Sequence, residues 1–327
     1  MTKLDVVAVG NALVDVLAKV DDSFITTHNL AKAGMRLIDA EPAEKLYAAM
    51  PPAQETSGGS AANTAAALAS LGGKAGFIGK VADDQLGKVF AHDMNAQGVQ
   101  FANGQSPSTL PTGRCLVAVT PDSERTMNTS LGCSTDFCTA DLSAELLQNT
   151  RVVYLEGYLF DRPAAKEAFR EAGRIARAAG AEVSLTLSDA FCVHNHRADF
   201  LALIAQGVDI LFANEAEITA LYECEFEEAA AKVQAAVKVA VLTRSAEGAR
   251  IVSKSESISV PAEPAQVVDL TGAGDAFAAG FLFGYTQGLP LREAGRLGAL
   301  AASEVISHFG ARPEVSLKEF VAARKAA

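Results

Sequence analysis

"DLTGAGDAFAAGFLFGY", residues 269–285, sets two glycines and an aspartate, Gly272 to Asp275, at the head of an apolar run. Phe277, Phe281, Leu282, Tyr285 and Leu289 recur at helical spacing, which predicts a helix with one face turned inward. Gly272 and Gly274 let backbone N–H groups turn toward an anion at the helix start, where unpaired donors and the macrodipole favour negative charge. Asp275 reads in two ways: ordinary capping chemistry, or a carboxylate that serves a hydroxyl brought up to the anion. A Walker A loop needs G-x-x-x-x-G-K-[ST], and no such string occurs. The Rossmann fingerprint needs G-x-G-x-x-G near the first strand; here the third glycine, Gly280, comes too late and the loop lies near the C-terminus. What remains offers N–H donors to a phosphoryl group and a base to an alcohol, the two requirements of phosphoryl transfer.

Outward from this loop, short β-type runs alternate with longer helical patterns, which predicts a mostly parallel sheet covered by helices. The strand candidates are 4–10, 74–81, 151–157, 182–187, 208–214 and 239–245. The helix candidates are 61–71, 85–97, 164–179, 197–206, 215–222, 226–237, 275–287 and 291–307. Several of the strands are unbroken apolar runs, as expected when both sheet faces are buried. Two stretches break the alternation: 13–38, and 109–129 with its "PDSE" turn. They read as antiparallel strands inserted early in an α/β chain, pairing into a small separate sheet that covers the strand ends. The chain has no internal repeat and no evident linker, so 1–327 reads as a single domain carrying that lid.

The formal charge of −11 argues against a nucleic-acid partner. The most apolar C-terminal run, 276–285, is far shorter than the ~20 residues of a membrane span. "MTKLDVVAVGNALVDV" lacks the features of a signal peptide and reads as a buried strand. Five cysteines without a C-x-x-C pair fit reduced thiols in a cytoplasmic protein.

These residues closely resemble the ribokinase-like, or PfkB-type, kinases. The family's C-terminal signature, D-T-x-G-A-G-D-x-F, stands here as Asp269 to Phe277, departing at Leu270. Its N-terminal signature stands as "GGSAANTAAALASLG" (58–72), followed by "GFIGKVADDQLG" (76–87). The resemblance implies a three-layer α/β/α fold with a small β-sheet lid, and transfer of the γ-phosphate of ATP to a hydroxyl with Mg2+ present. It implies Asp275 as the catalytic base and the N–H groups of Gly272, Ala273 and Gly274 as the anion hole. Asn11, Asp15, Gly58, Gly59 and Asn63 resemble the positions that hold the acceptor hydroxyls. Asn214 and Glu217 match N-x-x-E, linked to magnesium and phosphate positioning. "LTRSAEGA" (242–249) corresponds to the nucleotide segment T-x-G-x-x-G, keeping Thr243 and Gly248 but with Ser245 in place of a glycine. Thr271 joins the nucleotide-binding set, and Asp269 with Thr271 sits where some relatives hold a monovalent cation such as K+.

Each assignment has a plainer competitor. The alanines at 61–69 suit a close-packed helix, Asn11 and Asp15 suit a turn, and Glu215 with Glu217 suits an acidic first helical turn. Arg114 and Arg125 read more readily as solvated charges than as phosphate ligands. Cys192, His194 and His196 in "CVHNH" invite a zinc reading, but no further cluster completes a site and the segment reads as a strand-to-helix loop. "PDSERTMNTSLGCS" (121–134) and "GARP" (310–313) look adenosine-kinase-like. The leading acceptor is therefore a ribosyl nucleoside, with a free sugar of the ribokinase or fructokinase type next and a non-catalytic ligand-binding protein on the same fold as the reading from another class. Leu131, Phe137 and Phe160 are candidates for a base slot, though core packing suits each better. The quaternary state reads as a monomer or a lid-mediated homodimer.

Overall fold

The computed structural model describes residues 3–122 and 124–326. Its strands in chain order are β1 (Leu4–Val9), β2 (Leu13–Lys19), β3 (Met35–Leu37), β4 (Gln54–Gly58), β5 (Ala75–Gly79), β6 (Val99–Asn103) and β7 (Gly113–Val119). They continue as β8 (Arg125–Ser130), β9 (Thr150–Glu156), β10 (Glu182–Thr186), β11 (Ile210–Asn214), β12 (Val239–Thr243), β13 (Ala249–Ser253) and β14 (Ser257–Val260). A nine-stranded sheet runs β14-β13-β12-β11-β10-β9-β1-β5-β6, parallel from β12 to β6 and antiparallel at the β12–β13 and β13–β14 pairings.

The unbroken apolar strands follow from two separate cores. Val6, Ala8, Val152, Tyr154, Ile210 and Phe212 face one, whereas Val7, Val9, Val153, Leu155, Leu211 and Ala213 face the other. Strand alternation divides each run between two layers of helices, so both faces are mainly apolar. All six expected strands lie in the parallel part. The sequence reading did not include β6, β13 and β14, which sit at or beside the sheet margins.

The smaller sheet runs β3-β8-β7-β2-β4. It is mixed, which corrects the antiparallel expectation: β2 pairs parallel with β7 and β3 with β8, and only β2–β4 and β7–β8 are antiparallel. The 13–38 stretch also contains a helix, Asp22–Thr27, and β4 comes from outside both expected inserts. The turn at 121–124 includes Ser123, which lies outside the described residues. A further correction concerns 190–205, which is one helix capped by Asp189, whose side chain accepts from Cys192 N at 2.6 Å. "CVHNH" is thus the start of a helix kinked at His196, not a loop, because the cap satisfies an orphan N–H there.

The helix Ala273–Thr286 packs along Leu291–Val305 and against Ser60–Ser70. Gly280 permits the first approach, since a Cβ there would lie 2.4 Å from the Leu297 carbonyl oxygen. This contact fixes how closely the helix carrying Asp275 lies against its neighbour. The opposite local effect operates at Ser245, a non-glycine residue held at φ 50°. A serine held in the left-handed region costs about 1 kcal/mol relative to glycine. Ser245→Gly is therefore expected to raise Tm by about 2 °C, and Gly280→Ala to destabilise by about 1–3 kcal/mol, both read from thermal melts.

Candidate active site

The parallel strands deliver their C-terminal ends to one edge, where loops leave the sheet. Asn11 follows β1, Glu156 ends β9, Asn214 ends β11 and Thr243 ends β12. Asp15 lies on β2 of the small sheet, opposite Thr56 and Cys115. Gly58 ends β4 and leaves the space that Asp15 fills; a Cβ there would meet the Asp15 carboxylate at 2.5 Å. Gly59 is the N-cap of Ser60–Ser70.

Gly272 caps the helix of Asp275 in the left-handed region, φ 78°. Ala273 donates its N–H to Leu270 O at 3.2 Å, which withdraws it from the expected anion hole in this geometry. The N–H groups of Gly272, Gly274 and Asp275 have no acceptor among the described residues. The Asp275 carboxylate is held on both oxygens: Ser60 Oγ donates to Oδ1 at 2.6 Å and Asn63 Nδ2 donates to Oδ2 at 3.1 Å. Burial pushes its pKa upward against these two bonds and the positive field of Arg312.

Around it stand further carboxyls. Burial raises Asp15 to about 6, with Arg312 and Arg125 pulling it down and Asp275 pushing it up. Glu156 is raised by burial to about 7 and accepts from Asn11 N (3.0 Å), Asn11 Nδ2 (3.1 Å) and Ala61 N (3.3 Å). Asn11 is thereby fixed by a residue that the sequence reading passed over. A carboxylate ending the otherwise apolar run "RVVYLEG" was the available signal, because a buried acid requires partners.

Asn214 and Glu217 form a reciprocal capping box, with Glu217 N donating to Asn214 Oδ1 at 2.8 Å and Asn214 N donating to Glu217 Oε2 at 3.0 Å. Burial first, then Asp189 and Asp275, raise Glu217 to about 7. Thr243 and Gly248 stand at the next strand end, joined to that helix by Arg244, whose Nε donates to Glu215 Oε2 at 2.9 Å. Neither Thr243 nor Gly248 bonds to the Asp275 cluster among the described residues.

Two arginines correct the sequence reading. Arg114 is buried and bonded to Glu44 at 2.9 Å, with its guanidinium 5.2 Å from the centre of the Tyr47 ring. Arg125, its side chain 11% exposed, bonds through Nη1 to Asp269 Oδ2 at 2.6 Å, and its Nε and Nη2 are buried without a partner. Both sit where the small sheet folds over polar neighbours, so neither is a solvated charge. Asp269 also accepts from Thr271 N (3.0 Å), Thr271 Oγ1 (2.7 Å) and Gly310 N (2.9 Å). Arg312, from "GARP", reaches Asn63 and extends the cluster; the sequence reading used that motif only for branch likeness.

Phe137 and Phe160 are fully buried in the core, and Leu131 is half-buried. Cys192, His194 and His196 bring no metal site: among the described residues no group of three or more His, Cys, Asp or Glu could hold one. His196 lies between Lys166 Nζ (3.2 Å) and Asp161 (3.0 Å). No helix among the described residues is long and apolar enough to cross a membrane.

Free N–H donors beside a carboxylate, at the strand ends of a parallel α/β sheet, mark an enzyme of the group-transfer class. Residues 5–317 match the pfkB family carbohydrate kinase description. Adenosine kinase from Sinorhizobium meliloti is 51% identical with a TM-score of 0.89, covering 100% of both chains. A probable sugar kinase from Rhizobium etli CFN 42 is 49% identical with a TM-score of 0.89, covering 100% of this chain and 99% of that one. Adenosine kinase of Saccharomyces cerevisiae is 26% identical, covering 93% of this chain and 95% of its own. The chain belongs to the pfkB family of carbohydrate kinases, as an adenosine-kinase-like, ATP-dependent phosphotransferase with a hydroxyl acceptor.

Asp15 makes no hydrogen bond among the described residues, which gives a stability prediction. Its pKa is higher in the fold, about 6, than in the unfolded chain, 3.8, so the fold binds this proton more tightly. Its contribution to stability is greatest below 3.8 and lost as pH rises through about 6. Asp15→Asn is therefore expected to raise Tm by a few degrees at pH 8 and by progressively less toward pH 4, as read by thermal melts across that range. Equal Tm gains at both ends of the range would contradict the assignment.

Proposed function

We propose that this chain transfers the γ-phosphate of ATP to a hydroxyl of a ribosyl nucleoside, with adenosine as the leading acceptor. One observation carries the reading: Asp275 is aimed by Ser60 and Asn63 and lies in the same helical turn as the free N–H groups of Gly272 and Gly274. An ionised carboxylate has about four acceptor sites. Two bound donors thus leave capacity for the acceptor O–H. Asn11 and Asp15 orient the acceptor, Gly59 shapes the approach, and Asp275 receives the proton as the hydroxyl oxygen attacks.

Charge on the transferring group falls to the free N–H donors at the helix start and to Arg125. The two unpartnered donors of Arg125 are costly to bury and recover that cost on meeting an anion. Ala273 would rejoin the anion hole only by leaving Leu270 O. No cluster of three metal-ligating side chains surrounds Glu217 among the described residues, so Asn214 with Glu217 would position Mg2+ together with the phosphates, whose charge it screens when bound. Thr243, Gly248 and Thr271 fall to the nucleotide side. Asp269 already accepts three hydrogen bonds and is ion-paired with Arg125, so K+ would have to displace Arg125, and no step here uses it.

The adenosine kinase similarity supports a nucleoside acceptor. A free sugar is the second reading, supported by the similarly placed probable sugar kinase. The small sheet serves as the lid within one domain, and β3, which exposes Met35 and Leu37 at its edge, is where a second copy would pair if the enzyme is a homodimer rather than a monomer. The five unpaired thiols suit a reducing cytoplasm.

An ATP-consumption assay with adenosine, other nucleosides and free sugars, run beside Asp275→Asn, tests the reading. The variant is expected to keep ATP binding and lose transfer by about 10³-fold or more. Near-normal turnover of the variant would remove Asp275 as base, and a higher kcat/KM for a free sugar than for adenosine would transfer the assignment to the second reading.

A further inference from the structure

Arg312 follows the helix Leu291–Val305 and ends in a closed set of polar bonds. Its Nη1 donates to Gln97 Oε1 at 2.8 Å and its Nη2 to Ser57 Oγ at 3.0 Å. Gln97 Nε2 and the backbone N–H of Ser57 in turn donate to Asp93, at 2.8 and 2.9 Å. With both terminal nitrogens clamped, Nε points to Asn63 Oδ1 at 2.8 Å. Asn63 passes the constraint on through Nδ2 to Asp275 Oδ2 at 3.1 Å.

The orientation of this amide follows from chemistry. Arginine is donor-only, so the Asn63 atom facing it must be the oxygen; an ionised aspartate is acceptor-only, so the atom facing it must be the nitrogen. Resting on the kinase reading with Asp275 as base, we propose that Arg312 is a positioning residue for phosphoryl transfer. It locks Asn63 with its donor toward Asp275 and supplies the positive charge that lets Asp15 and Asp275 be ionised together in one cleft.

The charge balance supports the second half. Asp275 is faced by Asp15 from the small sheet, by Tyr154, Glu156 and Tyr158 from β9 and the turn after it, and by Glu217 from the helix Glu215–Tyr222. The cations acting on the Asp15–Asp275 pair are Arg312, which lowers both, and Arg125, which lowers Asp15. Arg125 is already bonded to Asp269, which leaves Arg312 as the cation tied by hydrogen bonds to the base. Burial in turn lowers Arg312 to about 10, so it stays charged across the working range. Because these carboxyls titrate together, the acid limb of activity belongs to the set, and variants at position 312 are compared with one another.

The test is the pH dependence of kcat/KM, with ATP and the best acceptor, for wild type, R312M, R312Q and R312K, with Tm measured alongside. In R312M the acid limb is expected to move up by about one pH unit, a tenfold loss on the acid side that shrinks at high pH. R312K, which keeps a donor and the charge, is expected to hold the limb near its wild-type position. Should R312M fail to fold, R312Q against R312K makes the same comparison of neutral with charged. A uniform loss across pH, an unmoved limb in the folded neutral variant, or an equal shift in R312K would overturn the proposal while leaving Asp275 as base. A wild-type chain that phosphorylates no alcohol would overturn the kinase reading, and this proposal with it.

Discussion

Two hydrogen bonds on one carboxylate, from Ser60 and Asn63 to Asp275, join residues 215 and 212 positions apart. They exist only if the alanine-rich helix at 60–70 lies against the helix at 273–286. That arrangement needs small residues on the first helix and a close helix neighbour behind the second. Ala61, Ala62, Ala65 and Ala67 are buried on the first, and Gly280 admits the Leu297 backbone behind the second. The alanine run is therefore both a packing surface and the means of delivering two donors to the Asp275 carboxylate. The packing reading of that stretch holds, and the same packing brings Ser60 and Asn63 to Asp275.

The same cleft concentrates groups that a stable fold would avoid. Asp15, Glu156, Glu217 and Asp275 all have their carboxyls pushed up by burial. Three carboxyls outside this set behave differently. Asp84, Asp93 and Asp141 are lowered from their ordinary value because each accepts several local hydrogen bonds that outweigh burial. The stability held by the first set is lost as the pH rises through the raised values, about 6 for Asp15 and about 7 for Glu156 and Glu217, whereas the second set strengthens the fold above the acid range. Separation of this kind, with strain at the strand ends and satisfied acids elsewhere, is the pattern expected where function is held against stability.

Much of the fold was legible because both faces of the central strands are buried. Val6 to Val9 must be apolar on each side, and that leaves an unbroken signal. Legibility falls at the margins: β14 has alternating exposure and β6 is only partly buried, so their runs are short and weak. The small sheet was visible as an interruption but not in its pairing, since parallel registers such as β2 with β7 join strands about a hundred residues apart. Within the site, the glycine loop and Asn63 carried recognisable spacing. Glu156, Arg125 and Arg312 did not, because a charged residue looks alike in sequence whether water or a buried partner surrounds it. Ser245 shows the converse: a departure in the pattern coincides with a left-handed backbone that glycine would favour.

Asp269 connects these observations. It is fastened to the glycine loop through Thr271 and to the "GARP" segment through Gly310 N, while Arg125 reaches it from β8 of the small sheet. A single carboxylate thus ties the sheet over the cleft to the loop that begins the helix of Asp275. Arg125 spends one nitrogen on this tie and keeps two donors buried without partners, a combination that costs about 1–3 kcal/mol per unmet group. An anion arriving at the helix start would satisfy those donors without breaking the tie. On the kinase reading, the small sheet is therefore held ready by Asp269, and phosphate contributes its own closing contact rather than having to pull the sheet into place.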